Sequence, residues 1–254
     1  MSSVAERRPP AERRHAPFLL PGHTRTCRAQ PWSSAPDIAQ LILLGHTSPP
    51  TADDLAAWVD QLRGLGFRRL RTTVLGQVAA QFLVEHGAPV IQELALLEHR
   101  RPIRGHDQAR GHDQGPPTRR LLARERGSAA ALDRAAFGVE WGLDEFAVHD
   151  VCTATPRHRA RAVDLEGHPL AGYAISGRDG RQGFLQRVAV HPDARRRHVA
   201  TALIADALQW AARWRVERVL VNTPVDNAAA IALYRATGFE MLDERMTVHE
   251  KVLS

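Results

Sequence analysis

The chain has 254 residues, enough for one large domain or two small ones, and 44% of them are apolar. Its formal charge is +6 at pH 7, and arginine carries nearly all of the positive charge because Lys251 is the only lysine. These charges are scattered along the sequence, which is more typical of a solvated surface than of a nucleic-acid-binding face. No apolar run approaches the length needed to cross a membrane, so no membrane partner is expected.

The two cysteines, Cys27 and Cys152, lie far apart and in no metal-ligand spacing. They therefore give neither a disulfide framework nor a zinc site, and they suit a reducing compartment. The N-terminus carries basic residues without the apolar stretch of a secretory signal. We expect a cytoplasmic protein that uses no metal.

Two stretches divide the chain into domains. Residues 1–21 are rich in Arg, Pro and Ala without periodicity, which predicts a disordered basic arm. Residues 104–117 contain the pentapeptide RGHDQ twice, followed by Gly-Pro-Pro. Its His and Asp suggest a metal site, but no apolar residue lies near to build a rigid cage, so a solvated linker is favoured. The predicted domains are residues 22–103 and 118–254.

Hydrophobic periodicity predicts the same series in both domains: a helix, a strand, a helix, a glycine and a strand. In the first domain these are Asp54–Leu62, Arg69–Leu75, Val78–His86, Gly87 and Val90–Leu97. In the second they are Val199–Trp214, Arg218–Thr223, Ala228–Thr237, Gly238 and Met241–Val248. The first domain is therefore predicted to be a shortened copy of the later half of the second.

The second domain has further predicted elements before that series. They are an opening strand, two helices and three strands: Leu121–Ala123, Ser128–Ala136, Leu143–Cys152, Arg159–Leu165, Leu170–Ser176 and Phe184–Val190.

The stretch Val188–Ile204 carries the first chemical signal. An apolar strand runs into a Pro-Asp turn, three consecutive arginines and the start of a helix. The free N–H groups and positive dipole end of a helix start suit a diphosphate, and arginine adds charge. Three arginines alone would be more typical of a solvated charge run, but the flanking elements favour phosphate binding. The second signal is Asn227 and Tyr234, which lie two helical turns apart and so on one face.

Together the two signals resemble the coenzyme A site of the GNAT superfamily of acyl-CoA N-acyltransferases. The resemblance implies an α/β (α+β mixed sheet) GNAT-like fold, with a central mixed β-sheet flanked by helices, over residues 118–254. A smaller, degenerate GNAT-like module would precede it. Acetyl-CoA is the implied co-substrate, with no metal. In the first module Gly76 and Leu83 fall at the positions of Asn227 and Tyr234, so that module is expected to bind no cofactor.

The resemblance also implies a role for each matched residue. Tyr234 would be catalytic, as the general acid that protonates the leaving thiolate. The residues implied in cofactor binding are Val188, Ala189, Val190, Arg195, Arg196, Arg197, His198, Val199, Ala200, Thr201 and Asn227. His198 departs from the family pattern, which has Gly there; glycine allows close backbone approach and unusual angles at no steric cost.

The acceptor side is less defined by the sequence. Phe137 and Trp141 flank a helix junction and could line an acceptor pocket, with packing in the core as the alternative. No general base is assigned: Gln186 lies near where some relatives place an acid, so water held by carbonyls is one possibility. Four other polar residues in the acceptor segment are better explained as surface or capping groups: Glu140, Asp144, Glu145 and His149.

Three functions are compatible with these patterns. The leading one is N-acetyl transfer from acetyl-CoA to a primary amine, on a small molecule or a protein, by direct attack in a ternary complex. The rival is a non-catalytic acyl-CoA sensor or interaction module on the same fold. A nucleic-acid role for the basic arm is the least favoured. A monomer or a homodimer is expected.

Overall fold

The computed structural model describes residues 17–43, 50–100 and 115–253. Residues 1–16 of the predicted basic arm and 104–114 of the predicted linker, including the RGHDQ repeat, lie outside these ranges.

The described residues form six helices and eleven strands. The helices are α1 (Ala52–Gly64), α2 (Gln77–Glu85), α3 (Arg126–Trp141), α4 (Glu145–Thr153), α5 (Val199–Arg213) and α6 (Ala228–Ala236). The strands are β1 (Phe18–Pro21), β2 (Thr26–Trp32), β3 (Ala35–Ile42), β4 (Arg69–Thr72), β5 (Val90–Arg100), β6 (Thr118–Arg120), β7 (Arg157–Leu165), β8 (His168–Asp179), β9 (Gln182–Val190), β10 (Arg218–Pro224) and β11 (Glu240–Val252).

The chain divides into two compact units. The first unit is residues 1–94 with 244–254, and the second unit is residues 95–243. The grouping differs from the sequence-based boundaries in two places, because β5 and β11 each contribute residues to both units. The end of β5 joins the second unit, where β5 lies beside β10, and the end of β11 joins the first unit, where it pairs with β4.

The first unit has strands in the order β1-β2-β3-β4-β11. β3 and β4 are parallel, and all four residues of β4 are paired. The prediction of disorder up to residue 21 is wrong for β1, which pairs antiparallel with β2. The strand forms because Leu20 is buried in the unit's core and Phe18 stacks on Phe67, with ring centroids 6.0 Å apart.

Helix α1 of the first unit is fixed at its start by a buried carboxylate. Thr51 and Asp54 form a reciprocal capping box, and Asp54 also accepts bonds from the amide and hydroxyl of Thr24 at 2.7 and 2.6 Å. Burial alone would raise the pKa of Asp54, but the hydrogen bonds from Thr24 and Thr51 hold it well below its usual range.

The second unit has strands in the order β5-β10-β9-β8-β7-β6. β9 and β10 are parallel, whereas β6 to β9 pair antiparallel. Alternate residues of β8 belong to different clusters: Tyr173 and Ile175 pack with α3 and α4, and Ala174 packs with α5. The helices therefore cover both faces of this sheet.

The prediction of an opening strand at Leu121–Ala123 is wrong. The strand is β6, three residues earlier, and Ala123–Glu125 is a 3-10 turn. The turn is stabilised because the Glu125 carboxylate accepts a hydrogen bond from the Leu122 amide at 2.8 Å. The remaining predicted helices and strands of this unit are present with small shifts at their ends.

Candidate active site

An opening lies between the parallel strands β9 and β10. They are paired only where Gln182–Phe184 lies beside Arg218–Leu220, whereas β9 stays paired with β8 as far as Val190. The two strands therefore diverge after these three pairs. The backbone of Val188–Val190 borders the opening, and its peptide groups that point away from β8 are available to a ligand.

A β-bulge lies in β9 at the same place. Ile175 of β8 pairs with Arg187, and the next residue, Ser176, pairs with Leu185. Gln186 is thus the extra residue, and its buried side-chain oxygen has no hydrogen-bond partner in the described residues. Bulges bend a strand and redirect side chains, so this one sets the direction of Arg187.

The loop between β9 and α5 leaves helix N–H groups free. The first amide to bond within α5 is that of Ala202, which donates to the carbonyl of His198 at 3.0 Å. Val199–Thr201 precede it, and no side chain caps the helix. The arginines Arg195–Arg197 are exposed, and their side chains form no ion pair with any residue of the described ranges.

Two residues of this loop have left-handed backbone angles. Arg196 has φ +59° and His198 has φ +58° with ψ +14°. Such angles cost a residue with a Cβ about 1–3 kcal/mol, whereas glycine adopts them freely. The position where the family pattern has Gly therefore needs a left-handed residue, and His198 retains that geometry with its side chain exposed.

Asn227 and Tyr234 belong to α6 and its start. Asn227 is the N-cap, and its side-chain oxygen accepts a hydrogen bond from the Ala230 amide at 3.1 Å. It therefore orders the turn that begins the helix. Tyr234 is 7% exposed and packs against Phe239, with ring centroids 5.6 Å apart.

The hydroxyl of Tyr234 is kept protonated at neutral pH. Burial raises its pKa to about 12, and the positive charge of Arg187 acts in the opposite direction. No hydrogen bond joins this hydroxyl to another residue within the described chain. A neutral donor is thus available to a ligand near a buried cation.

Arg187 itself is held by a buried carboxylate. Asp133 of α3 is fully buried. Its carboxylate accepts hydrogen bonds from Arg187 Nη2 at 2.5 Å, from Arg187 Nε at 2.9 Å and from the Tyr173 hydroxyl at 2.5 Å. The Leu143 amide, after α3, also donates to Asp133 at 2.7 Å. Burial would lower the pKa of Arg187, but the hydrogen bonds and charge of Asp133 outweigh it and raise this pKa.

The two predicted acceptor residues both contact Arg187. Its guanidinium carbon lies 3.7 Å from the ring centroid of Phe137, and its Nη2 donates to the Trp141 carbonyl at 2.9 Å. Between them Gly138 has φ +80° and ψ +171° and kinks α3. Arg187 therefore contacts the ring of Phe137 and the backbone of Trp141.

Sequence reasoning missed Arg187 and Asp133, which lie 54 residues apart. A signal was present, since each is a charged residue on a face that the apolar pattern predicts to be buried. A buried charge needs a partner, and two such residues of opposite sign are candidates for each other.

The other four polar residues of the segment from α3 to α4 do not share one structural role. Asp144 caps α4 by accepting from the Ala147 amide at 2.8 Å, while Glu140, Glu145 and His149 are exposed. Among the described residues no group of three or more His, Cys, Asp or Glu side chains is arranged to hold a metal. No helix within the described ranges is long and apolar enough to cross a membrane.

Helix α2 of the first unit resembles α6 but lacks the candidate site residues of α6. Gly76 is the N-cap of α2 and offers no side-chain bond, and Leu83, seven residues later, is buried in the core. Gly87 and Gly238 end the two helices with the same left-handed sign, at φ +75° and +89°. The parallel strands of this unit show no divergence along β4.

The family follows from a sequence comparison. The profile described as "Acetyltransferase (GNAT) family" matches residues 128–239, which contain the opening, the loop and Tyr234. This domain belongs to the GNAT superfamily. Acyl transfer from acyl-CoA is the general activity of that family. No curated protein sequence matches the chain.

Solved structures show the same fold over most of the chain. A tandem GNAT protein from the clavulanic acid biosynthesis pathway has a TM-score of 0.63 at 18% identity, covering 90% of this chain and 79% of that one. A GCN5-related N-acetyltransferase from Kribbella flavida has a TM-score of 0.62 at 16% identity, covering 92% of this chain and 89% of that one. A GCN5-related N-acetyltransferase from Sphaerobacter thermophilus has a TM-score of 0.60 at 15% identity, covering 90% of this chain and 76% of that one. These likenesses extend over both units of this chain and show a shared fold.

The titration of the tyrosines tests the burial of the site. The chain has two tyrosines, and burial raises the pKa of both: Tyr173 well above its ordinary value and Tyr234 to about 12. We expect no tyrosinate absorbance in the native protein near pH 10, where the denatured chain ionises. Since the unfolded chain then releases protons that the folded one retains, stability should fall as pH rises above 10. A native transition near pH 10 would contradict the burial of one ring, and Tyr234→Phe identifies which.

A double-mutant cycle tests the Asp133–Arg187 pair. Asp133→Asn or Arg187→Met alone leaves a buried polar group without its partner, and each should cost about 3–5 kcal/mol in urea unfolding. The double variant should cost clearly less than the sum. The control pair is Arg181–Glu217, 2.8 Å apart and 72% and 57% exposed, whose loss should cost about 1 kcal/mol or less. Additive costs at Asp133 and Arg187 would contradict the coupling.

Proposed function

We propose that the second unit transfers an acetyl group from acetyl-CoA to a primary amine, on a small molecule or a protein. One observation carries the proposal: two parallel strands that diverge after three pairs lead to a helix start with no side-chain cap. The arginines beside it form no ion pair with any residue that the structure describes. Divergent strands expose main-chain groups suited to the amides of pantetheine. The helix start beside the arginines suits a diphosphate.

The residues present fit this co-substrate. Val188–Val190 would hold the pantetheine arm through main-chain atoms. The loop Arg195–Thr201, with His198 within it, would hold the diphosphate. Asn227 contributes by ordering the start of α6, as its capping bond indicates. The thioester of acetyl-CoA supplies the activated acyl group.

Tyr234 supplies the proton for the leaving group. The amine nitrogen attacks the thioester carbon, the C–S bond breaks, and the sulfur takes a proton from the Tyr234 hydroxyl. A pKa of about 12 keeps this hydroxyl protonated at neutral pH, so it can act as the proton donor. The amine loses its own proton to water, and water returns a proton to the Tyr234 oxygen. Phe137 and Trp141, fixed by Arg187, remain the proposed acceptor contacts, and no cysteine is needed for a covalent intermediate.

Substitution of Tyr234 separates catalysis from binding. Tyr234→Phe should lower kcat by about 100-fold, because it removes the proton donor, and should leave the affinity for acetyl-CoA unchanged. Calorimetry with acetyl-CoA and a free-thiol assay with a panel of amines measure the two quantities. The control is Tyr173→Phe, which removes a bond to Asp133 and should lower stability instead. Equal losses of kcat and affinity in Tyr234→Phe would mean that the ring positions the co-substrate.

One observation favours a second candidate, a non-catalytic acyl-CoA sensor or interaction module. His198 carries a Cβ and an imidazole where the family pattern has Gly, next to the proposed diphosphate site. This candidate predicts that acetyl-CoA binds while no amine in the panel releases free thiol. The absence of binding at millimolar acetyl-CoA would count against both candidates.

Restoring glycine tests the loop. Because His198 already has the left-handed geometry, His198→Gly should change the dissociation constant for acetyl-CoA by less than about threefold. Stability should rise by up to about 1 kcal/mol as backbone strain is relieved. His198→Ala is the control, since it keeps the Cβ and the strain but removes the imidazole. A gain of about tenfold or more in both variants would show that the imidazole holds the diphosphate off and would favour the sensor.

A further inference from the structure

Five arginines that are scattered along the sequence lie on one side of the sheet in the second unit. They are Arg120 of β6, Arg157, Arg159 and Arg161 of β7, and Arg178 of β8. Arg120 lies opposite Arg161, and Arg157 lies opposite Arg178, so the side chains of each pair share a side. Arg159 shares it too, because alternate residues of a strand point the same way. Arg161 also lies opposite Ala174, which packs with α5. The five residues are therefore on the α5 side of the sheet, and together they are called the arginine face.

One carboxylate of α5 is shared by two members of the arginine face. Asp206 accepts a hydrogen bond from Arg159 Nε at 2.6 Å, and its other oxygen lies 3.2 Å from Arg161 Nε. Burial alone would raise the pKa of Asp206, but the hydrogen bonds from Arg159 and the Thr118 hydroxyl lower it below its usual value. Asp206 is the only acidic residue in the sequence of α5. The helix therefore supplies one negative charge to two arginines.

The other three arginines have no carboxylate partner among the residues that the structure describes. The side chains of Arg120 and Arg157 are exposed and form neither a hydrogen bond nor an ion pair there. Arg178 donates from Nη1 to the Gly180 carbonyl at 3.2 Å. The arginine face therefore carries an excess of positive charge, which suits a ligand with several negative charges.

Helix α5 adds tryptophans beside the arginine face. Trp210 and Trp214 follow Asp206 at intervals of four residues, so the three share one side of the helix. The guanidinium carbon of Arg178 lies 4.4 Å from the ring centroid of Trp214, and Trp214 is still 54% exposed. An exposed aromatic ring beside arginines is typical of surfaces on which the bases of single-stranded nucleic acid stack.

We propose that the arginine face binds single-stranded nucleic acid. Phosphates would pair with Arg120 and Arg157, and a base would stack on the exposed part of the Trp214 ring. An acidic peptide segment would also meet the arginines, but Asp and Glu have no flat ring to stack on tryptophan. A duplex keeps its bases inside its own stack, so it offers none either. None of the residues assigned to the coenzyme A site belongs to the arginine face, so binding there does not depend on acetyl transfer.

Fluorescence anisotropy of the full chain with three labelled probes tests this chemistry. The probes are an oligothymidylate of about 20 nucleotides, which exceeds common single-strand site sizes, a duplex of the same length and an oligoglutamate peptide. The single strand should bind at least about tenfold more tightly than either of the others. Equal binding of the duplex or of oligoglutamate would show that charge alone is recognised and would overturn the proposal. The absence of single-strand binding at low salt would do the same.

A double variant tests the two exposed arginines. Arg120→Gln with Arg157→Gln should weaken oligothymidylate binding by about tenfold or more. It should also reduce the slope of log K against log salt by about 1.4, since each lost phosphate contact contributes about 0.7. The charge-matched control is Arg68→Gln with Arg134→Gln, which are exposed residues of the first unit and of α3. An equal loss of affinity in the control would indicate non-specific attraction and overturn the proposal.

Two other basic segments are competing locations for the strand. They are the loop before α5 and the N-terminal arm, and each allows a variant that also removes two charges. These variants are Arg195→Gln with Arg196→Gln, and Arg13→Gln with Arg14→Gln. Both should bind oligothymidylate within about threefold of the unaltered chain. A loss in either that equals or exceeds the loss in Arg120→Gln with Arg157→Gln would place the strand on that segment and contradict the arginine face.

Substitution of Trp214 tests stacking separately from charge. Trp214→Leu should weaken the binding of oligothymidylate by about fivefold or more, because it removes the ring on which a base would stack. The matched control is an abasic strand of the same length, which carries the phosphates without bases. Its affinity should be the same for Trp214→Leu and for the unaltered chain. Equal losses for the two strands, or no loss for oligothymidylate, would overturn the proposed stacking and with it the preference for a single strand.

Discussion

The ion pair between Asp133 and Arg187 is the interaction on which the rest of the second unit depends. It joins α3 to the bulged strand β9, and through Tyr173 and the Leu143 amide it also joins β8 and the turn after α3. A charge in a protein interior is tolerated only with its counter-charge in place. The sheet and the two helices that cover it can therefore pack in only one arrangement that keeps both charges paired.

This pair links the scaffold to the chemistry. The guanidinium that satisfies Asp133 also stacks on Phe137 and acts electrostatically on Tyr234. The strand that carries it bends at Gln186, at the point where its pairing with β10 has ended. Fold and site thus share residues: the bulge lies just after the point where the strands diverge, and the next residue is the cation that acts on Tyr234.

The sequence predicted the parts of this site that depend on local pattern. The strand, turn and helix around Arg195–Ala200 follow from neighbouring residues, and so do the helix with Tyr234 and the internal copy. The parts it missed depend on distant pairing. β1 forms only because β2 lies beside it, and Arg187 is interpretable only once Asp133 is known to face it. The predicted start of α6 at Ala228 is confirmed, but the capping hydrogen bond of Asn227 was not predicted, because hydrophobic periodicity does not register hydrogen bonds at helix ends.

The kink at Gly138 sets a limit on how this protein can diversify. Its φ of +80° with ψ of +171° is accessible in practice to glycine alone, and the kink places Phe137 and the Trp141 carbonyl on the same guanidinium. The side chains of Phe137 and Trp141, which are our proposed acceptor contacts, can be exchanged to suit another acceptor, in evolution or in the laboratory. The glycine between them cannot, so a library for altered substrate choice should vary Phe137 and Trp141 and leave the hinge untouched.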